Sequence, residues 1–102
     1  MEILQDDLFV KAKTALRDGT AVIEKVSNCT KLAPSQRERL INGITRLIDR
    51  IAISTRMAIE ARYAGDAGCL AAASSILGRH LSLADESLPA ITKRITEGSV
   101  HA

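Results

Sequence analysis

Residues 40–59 read LINGITRLIDRIAISTRMAI and form the most informative apolar segment of the 102-residue chain. With 3.6 residues per helical turn, one face of it collects Leu40, Ile44, Leu47, Ile48 and Ile51. Ile53 and Met57 fall on the opposite face, among arginines. A helix with apolar residues on all sides is normally buried on all sides. We therefore expect a second subunit or a partner protein to cover the outer face of this helix.

The composition favours a single all-α domain over residues 1–102. The chain is 46% apolar but contains one Phe, one Tyr and no Trp, so Leu, Ile and Ala must form the core. These side chains pack well between helices, and the shortage of aromatic and alternating segments argues against a sheet. A small aliphatic core leaves a lone domain only marginally stable, which also favours self-association.

Hydrophobic spacing predicts an antiparallel bundle of three to four helices that self-associates as a dimer. The expected helices lie at about 3–28, 36–64, 67–81 and 87–97. Helix one is expected to continue through Gly19 because its apolar stripe stays in phase there, and a break at Gly19 is the alternative. Glycine in a helix costs about 1 kcal/mol relative to alanine, which a closely crossing helix would offset.

Local signals predict where these helices begin and end. Ser35 and Glu38 match a capping box that would start helix two. Gly65 is expected to stop helix two, and Asp66 to be the N-cap of helix three. Residues 82–86 are expected to form a turn, which places Pro89 in the first turn of helix four.

Positive charge is concentrated on helix two, although the net charge of the whole chain is only +2. Residues 37–62 carry six arginines against three acidic residues. Arg39, Arg46 and Arg50 are spaced seven and four residues apart, within about 40° of one another around the helix. Such a row suits nucleic-acid phosphates or an acidic partner. The alternative is a solvated face whose charges pair with acidic residues elsewhere in the fold.

Residues 74–88 resemble the helix-turn-helix of repressor proteins. A Leu-Gly pair is followed by a serine four residues later, and Ala84 and Leu88 fall at apolar positions of a recognition helix. Three residues depart from the pattern, because Asp85 and Glu86 would lie near phosphates and Pro89 would interrupt the recognition helix. With the arginine row, this resemblance implies the alternative function, a nucleic-acid-binding accessory or regulatory protein.

Ile53, Met57 and Tyr63 are the candidate interface residues. Methionine adapts to irregular binding surfaces, and tyrosine is enriched at interfaces. The alternative is that the other helices wrap helix two completely and bury all three in the core. The preferred function is a non-enzymatic interaction module (an adaptor, chaperone-like or inhibitory protein) that buries this arginine-flanked apolar face in a partner or second subunit.

No motif of an enzyme, a cofactor site or a metal site is present in the sequence. Catalytic histidine motifs and Gly-rich phosphate loops are missing, and the two cysteines stand alone, so we expect no catalytic residue, cofactor or metal. The longest uncharged run, Ala67 to Gly78, has 12 residues, whereas a membrane-spanning helix needs about 20. We also find no signal-like start, and therefore expect a cytoplasmic protein with no membrane partner.

Overall fold

The computed structural model contains three α-helices: α1 Glu2–Ser27, α2 Pro34–Ala64 and α3 Ala67–His101. The model describes the backbone of residues 2–101 and the side-chain environments of residues 7–96. Each helix packs against both others. The connections between successive helices are short, which makes neighbours antiparallel. The all-α bundle predicted from the sequence is confirmed, and its shape is elongated, with extents of 52 × 21 × 16 Å.

The core is a column of aliphatic side chains contributed by all three helices. Its buried members are Ala12, Val22, Val26, Ile44, Leu47, Ile51, Leu77, Leu81, Ala84 and Leu88. Val26, Ile51 and Leu77 are the largest fully enclosed side chains. Spacings of three, four and, on α1, ten residues place these side chains on one face of each helix, so burial of that face stabilises the bundle.

The third helix is continuous through residues 82–86, so the predicted turn and the separate fourth helix are wrong. The buried side chains on either side of this segment are Leu77, Leu81, Ala84 and Leu88. Their spacings of four, three and four residues make one in-phase apolar stripe through the segment, in place of the two separate stripes predicted. Ser82 and Asp85, which favoured a turn, lie on the exposed side of the helix. Burial along the continuous stripe outweighs these local turn preferences.

Because α3 is one continuous helix, two other predictions are also wrong. Residues 74–88 contain no turn, so the predicted helix-turn-helix is wrong as a structural motif. Pro89 lies inside α3 rather than in the first turn of a helix. A proline inside a helix removes one backbone hydrogen bond at a cost of about 3 kcal/mol. Pro89 is exposed, while its neighbour Leu88 is buried and contributes to holding the helix in place.

Helix α2 begins two residues earlier than predicted, and the capping box of Ser35 and Glu38 is wrong. The N-cap is Ala33, whose backbone N–H donates to the Gln36 side-chain oxygen at 3.1 Å. Pro34 occupies the first helical position, where its missing N–H leaves no donor unsatisfied. Because proline sets its own φ near the helical value, the helix can start there without a side-chain cap.

Gly65 and Asp66 end α2 and begin α3 as predicted. Gly65 has a φ of +70°, a left-handed conformation that glycine adopts at little cost. The N–H of Asp66 donates to the carbonyl of Ala61 at 3.0 Å, and the N–H of Gly65 donates to that of Arg62 at 3.2 Å. These bonds form the Schellman motif. The Asp66 carboxylate then accepts a hydrogen bond from the Cys69 N–H at 3.0 Å, which caps α3.

Because of this N-cap, the stability of the bundle is expected to change with pH in the acidic range. The backbone hydrogen bond from Cys69 holds the pKa of Asp66 below its ordinary value of 3.8. Stability from the ionised cap is complete above that value and is lost as the pH falls through the lower folded-state pKa. Asp66→Asn keeps a good capping residue but does not titrate. We expect the melting temperature of the wild type to fall more steeply below pH 4 than that of Asp66→Asn, and parallel pH profiles would contradict this role.

Gly19 lies inside a continuous α1, which confirms the predicted continuity. A Cβ atom at this position would lie 2.8 Å from both Cγ1 and Cδ1 of Ile48 on α2. That separation is too short for two carbon atoms, because carbon contacts are optimal at about 3.5–4.0 Å. The glycine therefore permits the close crossing of α1 and α2 that would offset its low helix propensity.

The close crossing predicts a dependence of Gly19→Ala on the residue at position 48. In an Ile48→Ala background, we expect Gly19→Ala to raise the free energy of unfolding by about 1 kcal/mol through helix propensity. With Ile48 present, the new alanine methyl group would collide with Cγ1 and Cδ1 of Ile48, and the gain in free energy of unfolding disappears. A double-mutant cycle measured by urea denaturation should give a coupling of at least about 0.5 kcal/mol. Equal effects in both backgrounds would show that the crossing is not tight.

Candidate interaction surface

The outer side of α2 carries cationic and apolar side chains on one continuous strip. Arg39, Arg46, Arg50, Ile53 and Met57 lie within about 60° around the helix and over about 27 Å along it. We call these five residues the α2 strip. Ile53 is 58% exposed and Met57 is 49% exposed. The alternative in which the other helices of this chain bury them in the core is therefore wrong.

Tyr63, the third predicted interface residue, lies apart from the other two. Its side chain is 88% exposed, so it is not a core residue either. Helical geometry places it about 80° from Ile53 and about 120° from Met57 around α2. The structure thus places Ile53 and Met57 on one face and leaves Tyr63 on a different flank of the helix.

The three arginines of the α2 strip line a groove between α2 and α3 with a volume of about 350 Å³. We call it the arginine groove. The apolar part of its wall consists of Leu40, Ile44, Leu47, Leu83, Leu88 and Ile91. Gly43 and Ser87 complete the lining. All charged side chains that line the groove are arginines, so it combines an apolar surface with a purely cationic border.

These arginines form no ion pair with the side chains that the structure describes. Lys11 and Asp7 form an ion pair at 3.3 Å, but both residues belong to α1 and neither lines the arginine groove. Arg39, Arg46 and Arg50 make no hydrogen bond or ion pair within residues 7–96. The expected alternative, in which the row is neutralised by acidic residues elsewhere in the fold, receives no support from these side chains.

Two exposed aliphatic residues of α3 extend this surface and were missed in the sequence. Leu83 is 47% exposed and lines the arginine groove, and Ile76 is 41% exposed. Seven residues separate them, so both lie within about 20° on the same side of α3. Because α2 and α3 are antiparallel, going from Leu83 to Ile76 along α3 follows the same direction as going from Arg50 to Met57 along α2. Ile76 therefore lies toward the Met57 end of the bundle. We call Ile53, Met57, Ile76 and Leu83 the apolar seam.

A second and larger groove, of about 670 Å³, lies between α1 and α3. Its charged lining residues carry both signs and are Lys11, Asp18, Lys25, Asp85 and Lys93. Its apolar lining includes the small residues Ala15, Ala21 and Ala84. The mixed charges specify no class of partner, which distinguishes this groove from the arginine groove.

The described part of the chain has two cysteines and no cluster of metal-binding side chains. Within them, no three His, Cys, Asp or Glu side chains come together in a way that could hold a metal ion. Cys29 is half-buried and Cys69 is exposed, and both are free thiols. The Asp66 carboxylate raises the pKa of the Cys69 thiol, which makes it a weaker nucleophile at neutral pH. No helix in the described part of the chain has the length and hydropathy needed to span a bilayer.

Comparisons of this chain with protein-family models, with curated proteins and with solved structures found no match.

Proposed function

We propose that this protein is a non-enzymatic interaction module, of the adaptor, chaperone-like or inhibitory kind. It acts by burying the α2 strip and the apolar seam in a partner protein or in a second copy of the chain. The observation that carries the proposal is the exposure of Ile53 (58%) and Met57 (49%) on the same strip as three arginines that form no ion pair with the described side chains.

The energetics of this surface favour association. Complete burial of one large aliphatic side chain contributes about 1.5–3 kcal/mol, and the four side chains of the apolar seam start between 41% and 58% exposed. Covering them together would contribute several kilocalories per mole to binding. The neighbouring arginines would add to selectivity and to the association rate rather than to affinity, because exposed charges attract a complementary partner over a distance. A cytoplasmic location accompanies this proposal as an expectation.

The direct test is the double substitution of Ile53 and Met57 with glutamate. We expect the wild type to gain mass with concentration in light scattering and the variant to remain a single copy, with an unchanged helical circular dichroism spectrum. Val10→Glu is the matched control, because Val10 is a 62% exposed aliphatic residue on α1, outside the surface. An oligomer that persists in the double variant would rule out this surface as the interface.

A nucleic-acid-binding accessory role is the second candidate, supported by the cationic border of the arginine groove. If each of the three arginines contacts one phosphate of duplex DNA, a plot of the logarithm of the association constant against the logarithm of the salt concentration has a slope of about −3. We expect replacement of Arg39, Arg46 and Arg50 with glutamine to remove that dependence if this candidate is right. Absence of binding to duplex DNA at low salt would eliminate it.

A further inference from the structure

We infer that the arginine groove binds an acidic amphipathic α-helix of about three turns, supplied by a partner protein. The partner helix would lie along the seam between α2 and α3 as a fourth helix of the bundle. This inference rests on the proposed interaction function and names the chemistry of the partner.

The lining of the groove specifies both faces of such a helix. The apolar wall, formed by side chains such as Leu40, Leu83 and Ile91, suits aliphatic side chains at positions i, i+3 or i+4, and i+7 of a docked helix. The border offers only guanidinium groups, which bind carboxylates through paired hydrogen bonds. A helix with aliphatic residues on one face and glutamate or aspartate beside them matches both features.

The dimensions of the groove set the length of the partner segment. Eleven residues separate Arg39 from Arg50, which corresponds to about 16 Å along α2, or three helical turns. The spacings of seven and four residues between the arginines place their Cα atoms about 10 Å and 6 Å apart along the axis. Carboxylates spaced by two turns and then by one turn on the partner helix would meet them.

Two other occupants fit the groove less well. A second copy docked over the arginine groove in a two-fold arrangement would bring its own arginine groove to this one, because such interfaces are self-complementary. Like charges would then oppose each other, which costs affinity. Self-association through Ile53 and Met57 does not require that arrangement, because neither residue lines the groove. Nucleic acid would leave the apolar wall uncovered, since the groove has no aromatic side chain on which a base could stack.

The test uses the full chain and a fluorescein-labelled synthetic helix. The peptide carries leucine at i, i+3 and i+7 and glutamate beside them, and a second peptide has glutamine in place of every glutamate. We expect the acidic peptide to bind in fluorescence anisotropy, and the glutamine peptide to bind at least about tenfold more weakly. Arg46→Glu with Arg50→Glu, and separately Leu83→Asp, should each weaken binding of the acidic peptide by about tenfold or more.

Lys25→Glu with Lys93→Glu is the matched control, because it changes the net charge equally but lies in the groove between α1 and α3. The inference is overturned if this control weakens binding as much as the arginine variant does, or if both peptides bind equally. It is also overturned if Leu83→Asp dissociates a homodimer without affecting the peptide, or if duplex DNA binds through the arginines independently of Leu83.

The same experiment, combined with the Ile53 and Met57 double variant, distinguishes failure of this inference from failure of the proposed function on which it rests. If the acidic peptide fails to bind while glutamate at Ile53 and Met57 still abolishes association, the partner chemistry is wrong and the interaction function stands. If the peptide fails to bind and the wild type shows no association that depends on Ile53 and Met57, both are wrong.

Discussion

Ser82→Pro is expected to lower the free energy of unfolding by about 3 kcal/mol or more. Ser82 lies inside the continuous α3, so proline would remove the hydrogen bond from its N–H to the carbonyl of Gly78 and would press its ring against that carbonyl. Proline also disfavours the helical conformation of the preceding residue, Leu81, which is buried. The loss is large compared with the total stability of about 5–15 kcal/mol that is usual for a small domain.

Urea denaturation followed by circular dichroism measures this effect. Ser82→Ala is the matched control, and because Ser82 is exposed we expect it to change the free energy of unfolding by no more than about 0.5 kcal/mol. If residues 82–86 formed a turn instead, proline at the start of that turn would be tolerated. A proline variant as stable as the alanine variant would therefore contradict the continuous third helix.

Leu77→Ala is expected to cost about 2–5 kcal/mol of the free energy of unfolding. Leu77 is fully enclosed by the core, so truncation removes its transfer energy and leaves a cavity between α3 and its neighbours. The loss of free energy of unfolding should lie in the upper part of that range if the elongated bundle cannot collapse into the cavity, because the loss increases with the residual cavity volume.

Leu83→Ala provides the comparison on the same helix. Leu83 is 47% exposed and therefore has less burial to lose, and we expect its truncation to lower the free energy of unfolding of the isolated chain by only about 1 kcal/mol. Both changes are measured by chemical denaturation at one pH. Similar costs at positions 77 and 83 would mean that the two side chains do not differ in burial as described.

Much of the fold could be predicted because the apolar stripes and the Gly65–Asp66 turn carry strong local signals. Helix α1 and the end of α2 fall within a residue of their expected limits. The prediction of two helices over residues 67–97 is wrong because the serine and acidic residues at 82–86 are typical of a turn, whereas the stripe through Leu81 and Ala84 stays in phase and is buried. The start of α2 was misplaced because Ala33, which has no capping side chain, carries no sequence signal as an N-cap.

The candidate surface could be predicted only on one helix. Ile53 and Met57 are out of phase with the buried face of α2, and this signal is present in the sequence alone. The placement of Leu83 beside the arginines depends on how α3 is aligned against α2, which is set by packing of the whole core and not by local periodicity. For the same reason, the sequence could place Arg39, Arg46 and Arg50 in a row but could not indicate the groove that they border.

The central claim, that a partner or second copy covers the outer face of α2, is tested most directly at the ε-methyl group of Met57. This residue is one of only two methionines, so its methyl signal is readily assigned by NMR with methyl-labelled methionine. We expect a soluble paramagnetic agent to broaden the signal in dilute protein and to lose that effect at high protein concentration, when a second copy covers the outer face of α2. A Met57 methyl group that stays fully accessible in a single-copy particle at high concentration would contradict this expectation.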